Sequence, residues 1–177
     1  MIEQLTFLHF LTATALIEVF MLYLFKFTKQ SSTTINNWYG NLGIIAIILD
    51  VLSILIGFYI AKFLFNYLLE YNYLSKQNEF IKFMVILLFV QVLHDFLFYL
   101  LVIKPTPIGV NRVIDEFKEY AKFYQTQAVV ADSLIYLSIT PILYYYIQYQ
   151  SNSVNTFITL VCFYLTSYLL HQKAKFN

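Results

Sequence analysis

Five long runs of apolar residues dominate this chain, and polar residues gather in the shorter stretches between them. The runs lie near residues 5–25, 42–63, 80–103, 128–146 and 154–170. Each has the length of about 20 mostly apolar residues that a helix needs to cross a membrane. The pattern therefore predicts an all-α fold, a polytopic membrane helix bundle of about five transmembrane helices in a single membrane-embedded domain over residues 1–177.

A weaker pattern follows the third run. Pro105 and Pro107 end that run, because proline lacks a backbone donor and disfavours helix in the residue before it. From Val110 to Tyr124, apolar residues recur at helical spacing, with charged residues on the other face. This pattern predicts one short interfacial amphipathic helix near residues 110–124. A helix that docks on a partner protein is the alternative interpretation.

Composition agrees with lipid as the main solvent. The 177 residues are 60% hydrophobic and 12% charged, whereas soluble domains are about 25% charged. The formal net charge is +1, and no basic surface for nucleic acid remains once the lysines flanking the apolar runs are set aside. The single cysteine, Cys162, lies inside an apolar run. The sequence therefore predicts neither a disulfide framework nor a thiolate metal site.

The basic residues divide unevenly between the two ends of a five-helix bundle. Eight of the eleven lysines and arginines fall on the side that also holds the C-terminus. Because basic residues favour the cytosolic side of a membrane, we expect the N-terminus outside and the C-terminus in the cytosol or its equivalent. The eight are Lys26, Lys29, Lys104, Arg112, Lys118, Lys122, Lys173 and Lys175.

Four of the apolar runs each contain one acid. An ionisable residue at such depth costs roughly 2.5 kcal/mol or more to insert, so it usually faces a protein interior, a partner or a water-filled cavity. At a rise of 1.5 Å per residue, all four acids lie about 9–15 Å beneath the same interface. A glutamine and a histidine share a helix face with the third acid. The predicted intramembrane polar cluster consists of Glu18, Asp50, Gln91, His94, Asp95 and Asp132.

Small residues recur at steps of three and four along the second run, with Asp50 in their midst. Such a stripe lets membrane helices approach closely, so it predicts the face on which this helix packs. Trp38 and Tyr39, just before the run, are interpreted as aromatic anchors at the membrane surface. The predicted helix-packing stripe consists of Gly43, Ala46, Ser53, Gly57 and Ala61.

The acids are open to several interpretations. They can fix helix packing through hydrogen bonds, or relay protons or cations, as chains of acids and histidine do in pumps. His94 with two or three carboxylates would suit a metal ion, but the usual metal-binding spacings are missing. His94 and Asp95 could also act as acid and base in a lipid-modifying enzyme. No phosphate-binding loop or nucleophile elbow occurs, so we predict no catalytic residue, cofactor or metal site.

Several short strings occur together in the middle of the chain. They are NWYG at 37–40, HDFLFY at 94–99, KPTP at 104–107, NRVIDEFK at 111–118 and ADS at 131–133. Over roughly residues 37–140 the chain resembles a group of uncharacterised multi-span membrane proteins encoded by large DNA viruses of algae and protists. This resemblance implies a membrane location and no established activity. The abundance of Phe, Tyr, Ile, Leu, Asn and Lys is what an AT-rich coding genome would produce. A subunit encoded by an organelle genome would fit that composition equally well.

The leading functional hypothesis is a non-enzymatic integral membrane protein, a structural or assembly component that forms part of a larger membrane complex. The expected partners are the lipid bilayer and other membrane subunits or further copies of the chain, with no nucleic acid. A small proton- or cation-coupled transport protein is the second hypothesis, and a membrane-embedded lipid-modifying enzyme is the third.

Overall fold

The computed structural model describes residues 2–29, 32–173 and 175, and within these ranges every regular element is a helix. A 3₁₀ turn at Ile2–Gln4 precedes the first long helix, and another follows the sixth at Ile147–Tyr149. The fourth helix continues directly into a π-helical segment, Tyr99–Ile103. The α-helices are α1 (Phe7–Phe27), α2 (Thr33–Leu42), α3 (Ile44–Glu70), α4 (Glu79–Phe98), α5 (Arg112–Tyr124), α6 (Thr126–Tyr145) and α7 (Asn152–His171).

Five helices are long and apolar enough to cross a membrane: α1, α3, α4 with its π-helical segment, α6 with the turn after it, and α7. Their outer faces carry large apolar side chains that the chain itself leaves uncovered. Phe63 and Leu101 are each 69% exposed, and Phe157 is 68% exposed. Such a surface suits lipid, so the fold is that of a multi-pass integral membrane protein and the all-α helix bundle is confirmed.

The two ends of the bundle are built from different connections. At one end, Lys175 N–H donates to the carbonyl of Lys26, which brings the C-terminal ends of α7 and α1 together. At the other end, the backbone N–H of Ile2 donates to Glu79 at 2.9 Å, and Lys62 Nζ donates to the Leu5 carbonyl at 2.5 Å. The long helices therefore alternate in direction along the chain, and α1 and α7 run the same way.

Helix α2 is an element that the sequence analysis did not identify. It is short and mostly polar, so no apolar run marks it. Its first turn is capped by Ser32, whose hydroxyl accepts from the N–H of Ile35 at 3.1 Å. It ends at Gly43, where φ is +58°, a value that favours glycine. This single residue turns the chain directly from α2 into α3.

The amphipathic helix predicted near residues 110–124 is α5. Asn111 caps it by accepting from the N–H groups of Val113 at 2.9 Å and Ile114 at 3.2 Å. Its apolar face packs on its own chain, since the ring of Phe117 lies 4.7 Å from that of Trp38 and 5.4 Å from that of Phe98. Together, α2 and α5 form a layer across the lysine-rich end of the bundle.

The most extensive contact between two membrane helices joins α1 and α7. Thr12 and Asn155 are fully buried there, and Thr159 is 5% exposed. The hydroxyl oxygens of Thr12 and Thr159 are 2.9 Å apart. A seam of small polar residues, named here the threonine seam (Thr12, Asn155 and Thr159), therefore holds the first and last membrane helices together.

Candidate functional site

Glu18, Asp50 and Tyr39 meet beneath the layer of α2 and α5. Asp50 Oδ2 accepts from Trp38 Nε1 at 3.1 Å and from the Tyr39 hydroxyl at 3.1 Å. The same Tyr39 hydroxyl lies 3.3 Å from Glu18 Oε1. Helix α2 thus reaches down with two aromatic donors and links the acids of α1 and α3. We call Glu18, Trp38, Tyr39 and Asp50 the carboxyl–aromatic group.

Tyr39 is a proton donor in this arrangement. Burial raises the pKa of its phenol well above the ordinary value, and the nearby carboxyls of Asp50 and Glu18 raise it further. The phenol therefore keeps its proton and can donate it. One phenol has one proton, so its contacts with both acids are fully satisfied only when one carboxyl carries a proton of its own.

A second set of hydrogen bonds links α4 to α6. Gln91 donates from its side-chain amide to Asp95, one helical turn further on. The amide oxygen of Gln91 accepts from the Ser133 hydroxyl at 2.8 Å. Gln91 is 3% exposed, so this bridge is buried between the two helices. The predicted link between Gln91 and Asp95 on one face of α4 is present in the structure.

His94 stands at the margin of this set. Its Nδ1 lies 3.3 Å from Asp95 Oδ1, and its side chain is 44% exposed. Its ring is stacked on Phe98 at 5.9 Å. The histidine therefore contacts the next residue in sequence and an aromatic ring one turn away, on the outer side of the buried bridge.

Asp132 lies between the two sets. It is close enough to Asp95, Asp50 and His94 for its charge to interact with theirs, yet no described residue donates a hydrogen bond to its carboxyl. Tyr120 of α5 is close enough to Asp132 for the two groups to interact by charge. Burial raises the pKa of that phenol, and Asp132 raises it further. Asp132 thus interacts by charge with other members of the predicted cluster, but no described residue donates a hydrogen bond to it.

The structure brings together all six predicted cluster residues through contacts or charge. Glu18 and Asp50 join through Tyr39, Gln91 and Asp95 through a direct hydrogen bond, and Asp132 by charge to both sets. His94 touches the cluster from its exposed edge. Among the described residues, no group of three or more His, Cys, Asp or Glu side chains has the geometry to hold a metal ion.

The small-residue stripe of α3 is buried along only part of its length. Ala46 and Ala61 are fully buried, and Gly57 is buried as well. A Cβ atom added to Gly57 would collide with the hydroxyl of Tyr136, which donates to the Ile54 carbonyl at 3.2 Å. The glycine therefore lets α6 approach α3. Gly43 is half-buried at the junction with α2, and Ser53 is exposed, its hydroxyl donating to the Asp50 carbonyl at 3.0 Å.

Trp38 and Tyr39 have a different role from the one predicted. They were interpreted as aromatic anchors at the membrane surface, but they are only 7% and 6% exposed. That interpretation is wrong because α2 folds back over α3 at Gly43 and carries both rings inward. A buried Trp N–H or Tyr O–H normally finds a partner, and here Asp50 supplies it.

The threonine seam is a second polar feature that the sequence analysis missed. Asn155, Thr159, Cys162 and Thr166 recur along α7 at steps of four, three and four, and all are buried. That spacing marks one face of a helix. The signal was therefore available in the sequence, but hydroxyl groups stand out less than acids in an apolar run.

The chain matches no family model, no curated protein and no solved structure. Each of the two hydrogen-bonded sets joins different helices, and each places at least one acid against donors from its own chain. This arrangement can fix the relative positions of α1, α2, α3, α4 and α6 at one end of the bundle.

Proposed function

We propose that this chain is a non-enzymatic structural or assembly component of a membrane, and that its buried acids fix the packing of its helices. One observation carries the proposal: Asp50 is held by two aromatic donors from α2, and the same tyrosine reaches Glu18 of α1. An acid that must be hydrogen-bonded in a low-dielectric interior selects the one helix arrangement that supplies its donors.

The exterior of the bundle supports the same proposal. Exposed large apolar side chains cover α3, α4 and α7, such as Phe63, Phe89 and Tyr164, which are 62–69% exposed. In a membrane these residues would contact lipid, and in a complex they would contact other subunits or further copies of the chain. The distribution of basic residues favours an N-terminus outside and a C-terminus in the cytosol. Kinship with the membrane proteins of large DNA viruses, proposed on the strings quoted above, fits such a component.

A proton- or cation-coupled transport protein is the second candidate, and Asp132 is the observation that favours it. Its carboxyl interacts electrostatically with Asp95, Asp50 and His94 but receives no hydrogen bond from the described chain. An intramembrane acid without a protein donor is the kind of group that water or a cation would contact. On this hypothesis Asp132 would be indispensable, and the hydrogen-bonded Asp50 would be secondary.

The packing proposal is tested first with amide and apolar substitutions of Asp50. Under this proposal, Asp50→Asn keeps an acceptor for Trp38 and Tyr39 and changes the unfolding free energy by less than about 1 kcal/mol. Asp50→Leu leaves Trp38 without its acceptor and Tyr39 with Glu18 alone, and it costs about 2–3 kcal/mol. Unfolding in bicelles measures both. Glu70→Gln, at the exposed end of α3, is the control for charge removal alone.

The same variants are then reconstituted into liposomes and assayed for proton and monovalent-cation flux. The packing proposal expects no flux above that of protein-free liposomes for the unmodified chain. A flux that Asp132→Asn abolishes, while the helical content and melting temperature are kept, would reject the packing proposal in favour of transport.

A further inference from the structure

A cavity of about 410 Å³ opens at the lysine-rich end of the bundle, between the π-helical segment and α5. Lys104, Lys118 and Lys122 line it, together with Tyr99, Ile103 and Gln125. None of the acids of the polar cluster is among these residues. The cavity is therefore separate from the site described above, and its chemistry is cationic.

We propose that this cavity is a binding site for a phosphate-bearing anion, such as the headgroup of an anionic phospholipid. Three lysines around one cavity provide the charge that a phosphate needs, and two further lining residues, Tyr99 and Gln125, have side chains that can donate hydrogen bonds. The lining that the structure describes contains no carboxylate to neutralise the lysines. This proposal is independent of the packing function proposed above.

The position of the cavity in the fold fits a ligand held at the membrane surface. Lys104 follows directly on Ile103, the last residue of a membrane-spanning helix. Basic cavities between membrane helices at the cytosolic surface are characteristic sites for anionic headgroups. Lys104 therefore stands at the end of a membrane-spanning helix, where lipid phosphates would lie, and Lys118 and Lys122 line the same cavity.

The membrane helix that supplies Tyr99 also offers apolar surface to a lipid. Tyr99 belongs to the π-helical segment, and the next two residues in sequence, Leu100 and Leu101, are 48% and 69% exposed. The combination of three lysines at the cavity and exposed leucines in the same segment favours an amphiphile as the natural source of the phosphate.

One of the three lysines is also held by a hydrogen bond within the fold. Lys118 Nζ donates to the Lys104 carbonyl at 3.4 Å, which draws α5 towards the end of the third membrane helix. Lys122 lies one turn further along α5 from Lys118, so both face the same cavity. Part of the conformational entropy of Lys118 is therefore already lost on folding, which reduces the entropy cost of binding.

The test uses the full chain purified in a non-ionic detergent and titrated with dioleoyl phosphatidylglycerol or dioleoyl phosphatidylcholine. Native mass spectrometry counts the lipids that remain bound. We expect selective retention of phosphatidylglycerol and a loss of roughly thirtyfold in its affinity in Lys118→Gln/Lys122→Gln, since each lysine near an anionic surface contributes about fivefold. Lys118→Arg/Lys122→Arg should retain most of the binding.

The matched control is Lys76→Gln/Lys82→Gln, which removes two charges at the other end of the bundle and should leave lipid retention unchanged. A second arm measures the binding of radiolabelled inorganic phosphate to the chain in phosphatidylcholine nanodiscs. Phosphate binding that depends on Lys118 and Lys122, without selective lipid retention, would support the site and assign it to a soluble anion. Equal retention of both lipids, or identical losses in the two glutamine variants with no specific phosphate binding, would overturn the proposal.

Discussion

The carboxyl–aromatic group and the threonine seam are both polar, both buried and both between membrane helices, but their hydrogen bonds are organised differently. In the threonine seam, Thr12 donates to the carbonyl of Leu8 and Thr159 to that of Asn155, each at 2.8 Å and each within its own helix. In the carboxyl–aromatic group, Asp50 relies on Trp38 and Tyr39 from another helix.

This difference separates two ways of using polar groups in a membrane. A threonine hydroxyl is satisfied by its own helix before any contact with a neighbour forms, so helix association adds little to its hydrogen bonding. A carboxyl cannot be satisfied by the backbone carbonyls of its own helix, and Asp50 obtains its donors from the side chains of another helix. The threonine seam therefore stabilises the contact of α1 with α7 mainly through close packing. The carboxyl–aromatic group selects one arrangement of helices and excludes others.

The largest effect is expected from removing the shared donor of the carboxyl–aromatic group. Tyr39→Phe keeps the ring but leaves Glu18 and Asp50 with one donor fewer, which should cost about 2–3 kcal/mol because the acceptors are buried carboxyls. Denaturant unfolding in mixed micelles measures it. Tyr168→Phe, at an exposed tyrosine pair on α7, is the matched control. Equal effects of the two changes would contradict the selection of one helix arrangement by the carboxyl–aromatic group.

An intermediate effect is expected where α6 approaches α3. Gly57→Ala places a methyl group against the Tyr136 hydroxyl and should cost about 1–2 kcal/mol, as overpacking does. Adding Tyr136→Phe should recover part of the loss, since it removes the atom that the methyl group meets. Gly40→Ala, where an added Cβ atom meets nothing within 4 Å, should be neutral. No recovery in the double variant would mean that the contact is not the source of the strain.

The smallest effect is expected in the threonine seam. Thr12→Val and Thr159→Val preserve the shape of the side chains and remove hydroxyls that already bond to carbonyls of their own helices, so the loss of the contact between the helices should cost only about 0.6 kcal/mol for each change. Thr156→Val, on the exposed face of α7, gives the baseline. A cost close to that of Tyr39→Phe would show that the seam depends on hydrogen bonds between helices after all.

The contrast between features that depend on one helix and features that depend on several helices explains how much of the structure the sequence could predict. The five membrane helices follow from their apolar runs, and α5 follows from the alternation of Phe117 and its neighbours with charged residues. Helix α2 could not be predicted in this way, since a short polar helix is stable only through its cap at Ser32 and its contacts with α3 and α5. Its existence depends on tertiary structure.

The candidate site was predictable in its acids and in Gln91, which shares a helix face with Asp95. The cost of an acid in a membrane singles it out whatever the fold, so Glu18, Asp50, Asp95 and Asp132 are visible in the sequence. Partners from other helices are not visible, because a donor such as Tyr39 becomes a partner only through the reversal of the chain at Gly43. A rule based on position along the chain assigns aromatic residues at the end of a run to the membrane surface, and here that rule fails.

The parallel contact of α1 with α7 has a consequence for how the protein is made. Thr12 and the carbonyl of Asn155 lie 3.3 Å apart but are separated by 143 positions in the sequence. At a synthesis rate of about 5–20 residues per second, the first membrane helix waits several seconds for its main neighbour. Throughout that interval its small polar face is open to any other helix in the bilayer. The insertion machinery, or a transient companion, must keep that face from an incorrect contact until the last helix leaves the ribosome.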